Sequence, residues 1–396
     1  MSTGIDVHLS AGGVRGIAVA SMLQRVSGPL EQALFELPDV PVRCTGVSVG
    51  AILTLALASP NPEQALADFV SIARSKHVDS RVATAICRNV THRLSFGLLP
   101  APRVRDIMPE IAPGSGAFGD ISNKYEGSAV CYCEVTDDGV KQHTKKLLKN
   151  DPDRNLQFVR DSAAVPGVMR NVHVGASIDG AAASIFGKQR IVDSLTDLPP
   201  AKMIIVVSCR PWIRRLDWTL RKSSLRDASG DEDDGFFHIR QGIKARDGDC
   251  LTACFPPQIV NQYMTMACCW DMISVQKTLG VPDSVELEGV QLLYRQGDTT
   301  YATPPKQPPY TPMLLIAPYE NVETALAAKV EVNLGDTPET FGLYGTYHDA
   351  TLTHCTDKHI TAMQNAGELM AKVASAKYTQ AIRELALANK KFGIKR

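Results

Sequence analysis

The sequence lacks the patterns that identify several common classes of protein. It has no Gly-x-x-x-x-Gly-Lys-Ser/Thr motif, which argues against a Walker-type phosphate loop, and its first glycine cluster is out of register for a Gly-x-Gly-x-x-Gly fingerprint. The charges balance at 42 Lys and Arg against 42 Asp and Glu, so no overall field favours nucleic acid or an anionic membrane. We therefore expect no nucleic-acid partner.

Long apolar runs and cysteine frameworks are also missing. The N-terminus has no basic region leading into an apolar stretch, and the longest nearly apolar run, residues 51–58, is far below the ~20 residues that span a bilayer. The ten cysteines show neither zinc-ligand spacing nor a disulfide framework, which favours buried thiols in a reducing compartment. We expect a cytoplasmic protein, peripheral at membranes, with no signal peptide, transmembrane segment, metal or other cofactor.

A serine between two glycines stands out among the patterns that are present: Gly46-Val47-Ser48-Val49-Gly50. This spacing suits a nucleophile elbow, in which a strand arrives, turns sharply at the serine and leaves as a helix over residues 51–59. The hydroxyl then lies beside a helix N-terminus, where developing negative charge is favoured. Taken alone, the pentapeptide is equally consistent with a turn whose small residues only serve packing.

A second glycine cluster follows a predicted first strand, Ile5 to Leu9, and reads Gly12-Gly13-Val14-Arg15-Gly16. Such a loop brings backbone N–H groups close to an anion, as a phosphate cradle or as an oxyanion hole for acyl transfer, although a tight packing turn explains it as well. Further along, Asp179-Gly180 taken alone predicts a turn.

In order and spacing, these three segments resemble the motifs of the patatin-like phospholipase family. Residues 12–16 match its Gly-Gly-x-Arg/Lys-Gly oxyanion loop, residues 46–50 match its serine elbow, and Asp179-Gly180 matches its Asp-Gly motif. The resemblance spans about Ile5 to Ala350, with a poorly matching insertion over residues 210–307. The chain departs from the family pattern at Ser10 and Ala11, where many members have an acidic residue and a glycine. It departs again after Asp179-Gly180, where the family often has another glycine and, a little later, asparagine and proline, whereas this chain reads Ala181 to Gly187.

The resemblance implies a catalytic dyad without histidine. Ser48 attacks the ester carbonyl, and Asp179 accepts the serine proton and returns it to the leaving alcohol. The implied oxyanion hole consists of backbone N–H groups of Gly12, Gly13, Val14 and Val49. The implied supporting residues are Arg15, Gly16, Gly46, Gly50 and Gly180.

The implied fold is α/β, with a mainly parallel central sheet, helices on both faces and an inserted charged segment. The continuous apolar run at residues 204–207 agrees with a strand buried on both faces. We predict a patatin-like acyl hydrolase domain over residues 1–355, which includes the insertion, and a C-terminal helical tail over residues 356–396.

The resulting functional hypothesis is a lipid acyl hydrolase of phospholipase A type that acts on phospholipids or other acyl esters at a membrane surface. Two alternatives stay open: a non-catalytic regulatory or binding protein on a patatin scaffold, and a carboxylesterase with a Ser-His-Asp triad that uses His348 or His354. A homo-oligomer and an activating protein partner also stay open.

Overall fold

The computed structural model describes eight parts of the chain: residues 4–24, 41–76, 120–164, 173–196, 203–212, 271–307, 309–319 and 356–391. Two predicted features lie outside the described residues. These are the pair of alternative catalytic histidines, His348 and His354, and most of the insertion, residues 213–270.

A nine-stranded sheet forms the centre of the described structure. Its five inner strands are parallel and lie in the spatial order β3-β2-β1-β6-β9. They are β1 (Ile5–Leu9), β2 (Val42–Val47), β3 (Ala129–Thr136), β6 (Met203–Val207) and β9 (Thr311–Ile316). The predicted α/β fold with a mainly parallel sheet is confirmed.

The remaining strands are antiparallel to their neighbours, so the sheet is mixed. On one side, β4 (Gly139–Lys146) and β5 (Ser177–Asp179) both pair with β3. On the other, β7 (Val290–Gln296) pairs with β9 and continues as a hairpin into β8 (Thr299–Tyr301). The sequence analysis did not predict β4, because its lysine-rich residues are mostly exposed at the edge of the sheet and form no apolar run.

Helices cover both faces of the sheet, as predicted. One face packs against α1 (residues 16–24), α2 (Val49–Ala58), α3 (Pro62–Lys76) and α4 (Pro152–Ser162). The other packs against α5 (Lys188–Thr196) and α6 (residues 271–278). Along β6, Ile205 and Val207 belong to the first core, and Ile204 and Val206 belong to the second. Burial on both faces explains the continuous apolar run of this strand.

The last helix, α7 (Asp357–Lys391), packs on the same core as α1 and α2. Met363, Met370 and Tyr378 are buried there. Gly367 lies so close to α1 that a Cβ at this position would be 2.3 Å from the carbonyl oxygen of Ala18. The predicted C-terminal tail is therefore helical over residues 357–391 and contributes apolar side chains to the main core.

Within the insertion, residues 271–307 supply β7 and β8 to the same sheet and α6 to its second core. The boundaries of the predicted domains stay predictions. No helix within the described ranges is both long enough and apolar enough to cross a bilayer.

Candidate active site

Ser48 occupies the turn between β2 and α2 in a strained backbone conformation, with φ 56° and ψ −122°. The two flanking glycines explain how the chain turns so sharply. A Cβ on Gly46 would lie 2.0 Å from the carbonyl oxygen of Gly50, and a Cβ on Gly50 would lie 2.3 Å from that of Leu9. Helix α2 therefore begins in direct contact with the ends of β1 and β2, and only glycine fits on either side of the serine.

Strand β3 brings Asp179 to this turn. Val47, the last residue of β2, pairs with Cys131, and Asp179, the last residue of β5, pairs with the next residue, Tyr132. Strands β2 and β5 therefore run toward each other along one side of β3, and their ends meet. The Ser48 hydroxyl donates a hydrogen bond to Oδ2 of Asp179 at 2.6 Å.

The pair is buried, with 8% of Ser48 and 5% of Asp179 exposed. Burial raises the pKa of Asp179 from 3.8 to about 6, because desolvation disfavours the charged carboxylate. Hydrogen bonds from the Ser48 hydroxyl and from the Ala181 N–H, which is 2.8 Å from Oδ1, partly oppose this rise in pKa. Near neutral pH the side chain is thus an ionised carboxylate that is more basic than an exposed one.

The C-terminal end of α4 holds the backbone of both residues. The Ser48 N–H donates to the Ser162 hydroxyl oxygen at 2.9 Å, and that hydroxyl donates to the Cys131 carbonyl. The Asp179 N–H donates to the Ala164 carbonyl at 2.8 Å. Sequence reasoning gave Ser162 no role.

The glycine-rich loop lies beside the elbow because β1 and β2 are parallel neighbours, with Leu9 opposite Gly46. Gly13 has φ 56°, in the left-handed region that favours glycine. A Cβ on Gly12 would lie 2.2 Å from the Cβ of Cys209, so the loop passes very close to the chain that follows β6. Within the described residues, the backbone N–H groups of Gly12 and Gly13 have no hydrogen-bond acceptor.

The other predicted supporting residues lie around this loop and around Asp179. Arg15 is the last residue of a short 3-10 turn that begins at Gly13 and includes Val14. A Cβ on Gly16 would lie 2.3 Å from a methyl carbon of Val49, so the loop contacts the first residue of α2. Gly180 packs on β3, where a Cβ would lie 2.3 Å from the Cys131 carbonyl oxygen.

No histidine among the described residues bonds to Ser48 or Asp179. His8 contacts the Ser194 hydroxyl at 3.1 Å, and His143 contacts Glu134 at 3.1 Å. His359 bonds to Thr356 at the start of α7. The described ranges also contain no group of three or more His, Cys, Asp or Glu side chains that could hold a metal ion.

The Patatin family model, whose description is patatin-like phospholipase, matches residues 7–186. Residues 7–186 are a patatin-like domain. The matched range contains the glycine-rich loop, Ser48 and Asp179, and phospholipases are hydrolases of lipids. The match ends before α5 and β6, so strands β6 to β9 and helices α5 to α7 lie beyond the matched residues. No curated protein matches the chain.

Proposed function

We propose that the chain is a lipid acyl hydrolase of phospholipase A type that cleaves acyl esters through Ser48 and Asp179. The observation that supports this most directly is the 2.6 Å hydrogen bond between the serine hydroxyl and a buried carboxylate, at a strained turn inside the patatin-like domain. The substrate is a phospholipid or another acyl ester presented at a membrane surface.

In the first half of the reaction, Ser48 Oγ attacks the ester carbonyl carbon while its proton moves to Oδ2 of Asp179. The oxyanion that forms is bound by the N–H groups of Gly12 and Gly13, with those of Val14 and Val49 as further donors. When the tetrahedral intermediate collapses, the bond to the leaving oxygen breaks and Asp179 gives its proton to the departing alcohol.

In the second half, Asp179 is again a carboxylate and accepts a proton from the water that attacks the acyl-enzyme. The carbonyl–Oγ bond then breaks, the fatty acid leaves, and the proton returns to Ser48. One carboxylate therefore acts as base and as acid in each half, and its pKa near 6 suits both roles.

A serine-reactive probe tests the proposal. A fluorophosphonate should label the wild-type protein, and the wild type should hydrolyse members of a phospholipid panel. Ser48→Ala should show neither labelling nor hydrolysis. Ser59→Ala is the matched control, because Ser59 is a buried serine at the opposite end of α2, and it should keep both properties. Labelling of another serine would contradict the assignment of the nucleophile. A folded protein without labelling or turnover would favour a binding protein on this scaffold.

A further inference from the structure

A carboxylate from outside the patatin-like domain holds the loop that follows Asp179. Asp271, in α6, accepts hydrogen bonds from the Ser184 hydroxyl at 2.9 Å and from the Ile185 N–H at 2.8 Å. The Phe186 N–H is a third donor to the same carboxylate. Charge-assisted bonds of this kind are stronger than neutral ones, so Asp271 fixes three consecutive residues of the loop.

The same loop is bonded to Asp179 and to the residue before the glycine-rich loop, two parts of the proposed catalytic machinery. At one end, the Ala181 N–H donates to Oδ1 of Asp179 at 2.8 Å. At the other, the Ile185 carbonyl accepts from the Ala11 N–H at 2.7 Å, and Ala11 directly precedes Gly12. A continuous set of contacts thus links Asp271 to the base and to the glycine-rich loop.

The composition of the loop explains why it needs an external anchor. Ala182 and Ala183 are exposed and offer no polar side-chain group. Lys188 reinforces the anchor, since its Nζ donates to the Ser274 hydroxyl of α6 at 2.6 Å and its N–H donates to the Ser184 hydroxyl oxygen.

We propose that Asp271 is a positioning residue for ester hydrolysis, which holds residues 184–186 so that Ala181 stays bonded to Asp179 and Ala11 stays bonded to Ile185. This inference rests on the proposed function of Ser48 and Asp179. It gives the described part of the insertion a role in the reaction, although α6 lies outside the matched residues and Asp271 does not touch the reacting atoms.

The first test variant is Asp271→Asn, which keeps the shape of the side chain but turns an amide nitrogen toward one of the three donors. We expect kcat to fall about tenfold to a hundredfold, the scale of a small misplacement of catalytic groups, with KM unchanged within about twofold. The acid limb of the pH–rate profile should move to higher pH by about one unit. The reason is that the Asp179 carboxylate loses a hydrogen bond that stabilises its charged form, which raises its pKa. Ser184→Ala removes one of the three donors to Asp271, together with the acceptor of the Lys188 N–H, and should show the same changes at smaller size.

Asp120→Asn is the matched control. Oδ1 of Asp120 accepts from the N–H groups of Ile121 and Asn150, both at 2.9 Å, so this aspartate also anchors a loop. It lies near the C-terminal end of α2, where the Ser122 N–H donates to the Ala58 carbonyl, far from Ser48 at the other end of the helix. The control should lower the melting temperature and leave kcat and the pH limb unchanged.

Hydrogen–deuterium exchange separates failure of this inference from failure of the proposed function. The amides of Ala11 and of residues 185–186 should exchange faster in Asp271→Asn and Ser184→Ala, and at the wild-type rate in Asp120→Asn. Unchanged exchange, or an unchanged kcat and pH limb in both test variants, would overturn the role of Asp271. If the wild type hydrolysed no ester, the proposed function would fail, and the exchange rates would still decide whether Asp271 couples the two loops.

Discussion

Asp179 is an unfavourable residue for stability and a suitable one for proton transfer. Its pKa of about 6 lies above the ordinary 3.8, because desolvation outweighs the hydrogen bonds from Ser48 and Ala181. The strained φ of Ser48 is a second local cost at the same place. Both features support a catalytic role, since strain and raised pKa values concentrate at functional sites.

The pH dependence of turnover follows from the ionisation of Asp179. Only the carboxylate form accepts the serine proton, so kcat/KM should rise through a limb near pH 6 and level off above it. The measurement is the rate of ester hydrolysis between pH 4 and pH 8. His348→Ala and His354→Ala should keep the limb and the rate. A limb near pH 4 would indicate an exposed base, and loss of activity in either histidine variant would favour a triad.

Asp179→Asn should separate activity from stability. Turnover should fall by about 10²- to 10⁴-fold, the contribution of a general base. The pKa of Asp179 is raised in the folded state, so the wild type loses stability as the pH rises from below 4 through 6. The variant lacks that loss. Its melting temperature relative to wild type should therefore be higher at pH 8 than at pH 4, and a difference independent of pH would contradict the raised pKa.

At the scale of elements, the candidate site is built from strand ends. The glycine-rich loop follows β1, Ser48 follows β2, and Asp179 ends β5, which approaches β2 from the opposite direction. Ser162, the last residue of helix α4, and Ala164, two residues beyond it, bond to the backbone of Ser48 and Asp179. Each functional residue thus directly follows or ends a strand, or its backbone is hydrogen-bonded to a neighbouring element.

The proposed role of the glycine-rich loop as an oxyanion hole can be tested with one alanine substitution in the loop and a control substitution at a glycine of similar φ. Gly13→Ala should lower kcat roughly tenfold to a thousandfold, the range for one weakened oxyanion donor, with a small loss of melting temperature. Gly297→Ala is the control. Gly297 has φ 58°, close to the 56° of Gly13, and lies between β7 and β8, where no atom would come within 4 Å of an added Cβ. It should show the same small loss of stability and full kcat, whereas full kcat in Gly13→Ala would make the loop structural.

At the scale of the whole molecule, the described segments share one sheet and two layers of helices. Helix α7 lies at the end of the chain, yet its buried side chains pack with those of β1 and α2. Helix α6 comes from the insertion and packs on the opposite face. Segments far apart in sequence therefore contribute to the two cores that enclose the sheet.

Met370→Ala tests whether α7 is part of the same cooperative unit as the active site. Met370 is fully buried, so its truncation should destabilise the whole protein by about 2–5 kcal/mol. Thermal unfolding and the loss of probe labelling at Ser48 should shift together to lower temperature. Lys358→Ala, at an exposed position of the same helix, should shift neither. A separate low-temperature transition that leaves labelling intact would indicate an independent tail.

Several elements could be predicted because their determinants are local in sequence. The apolar runs of β1 and β6 predicted strands, and the glycines around Ser48 predicted a strand-turn-helix. The edge strand β4 and the β7–β8 hairpin were missed, because solvated edges and short hairpins need no continuous apolar run. Asp271 and Ser162 were missed because each acts through hydrogen bonds to residues far away in the sequence, which leave no local motif.

The sequence by itself predicted a tight strand-turn-helix at Ser48, since glycines at positions 46 and 50 leave room for the helix to begin against the strand. Tertiary structure alone decided that Ser48 meets Asp179, which is 131 residues away along the chain. That meeting depends on the register of β3, which places Val47 and Asp179 against consecutive residues. The raised pKa of Asp179 is likewise a tertiary property, because it arises from burial among segments that only the folded chain brings together.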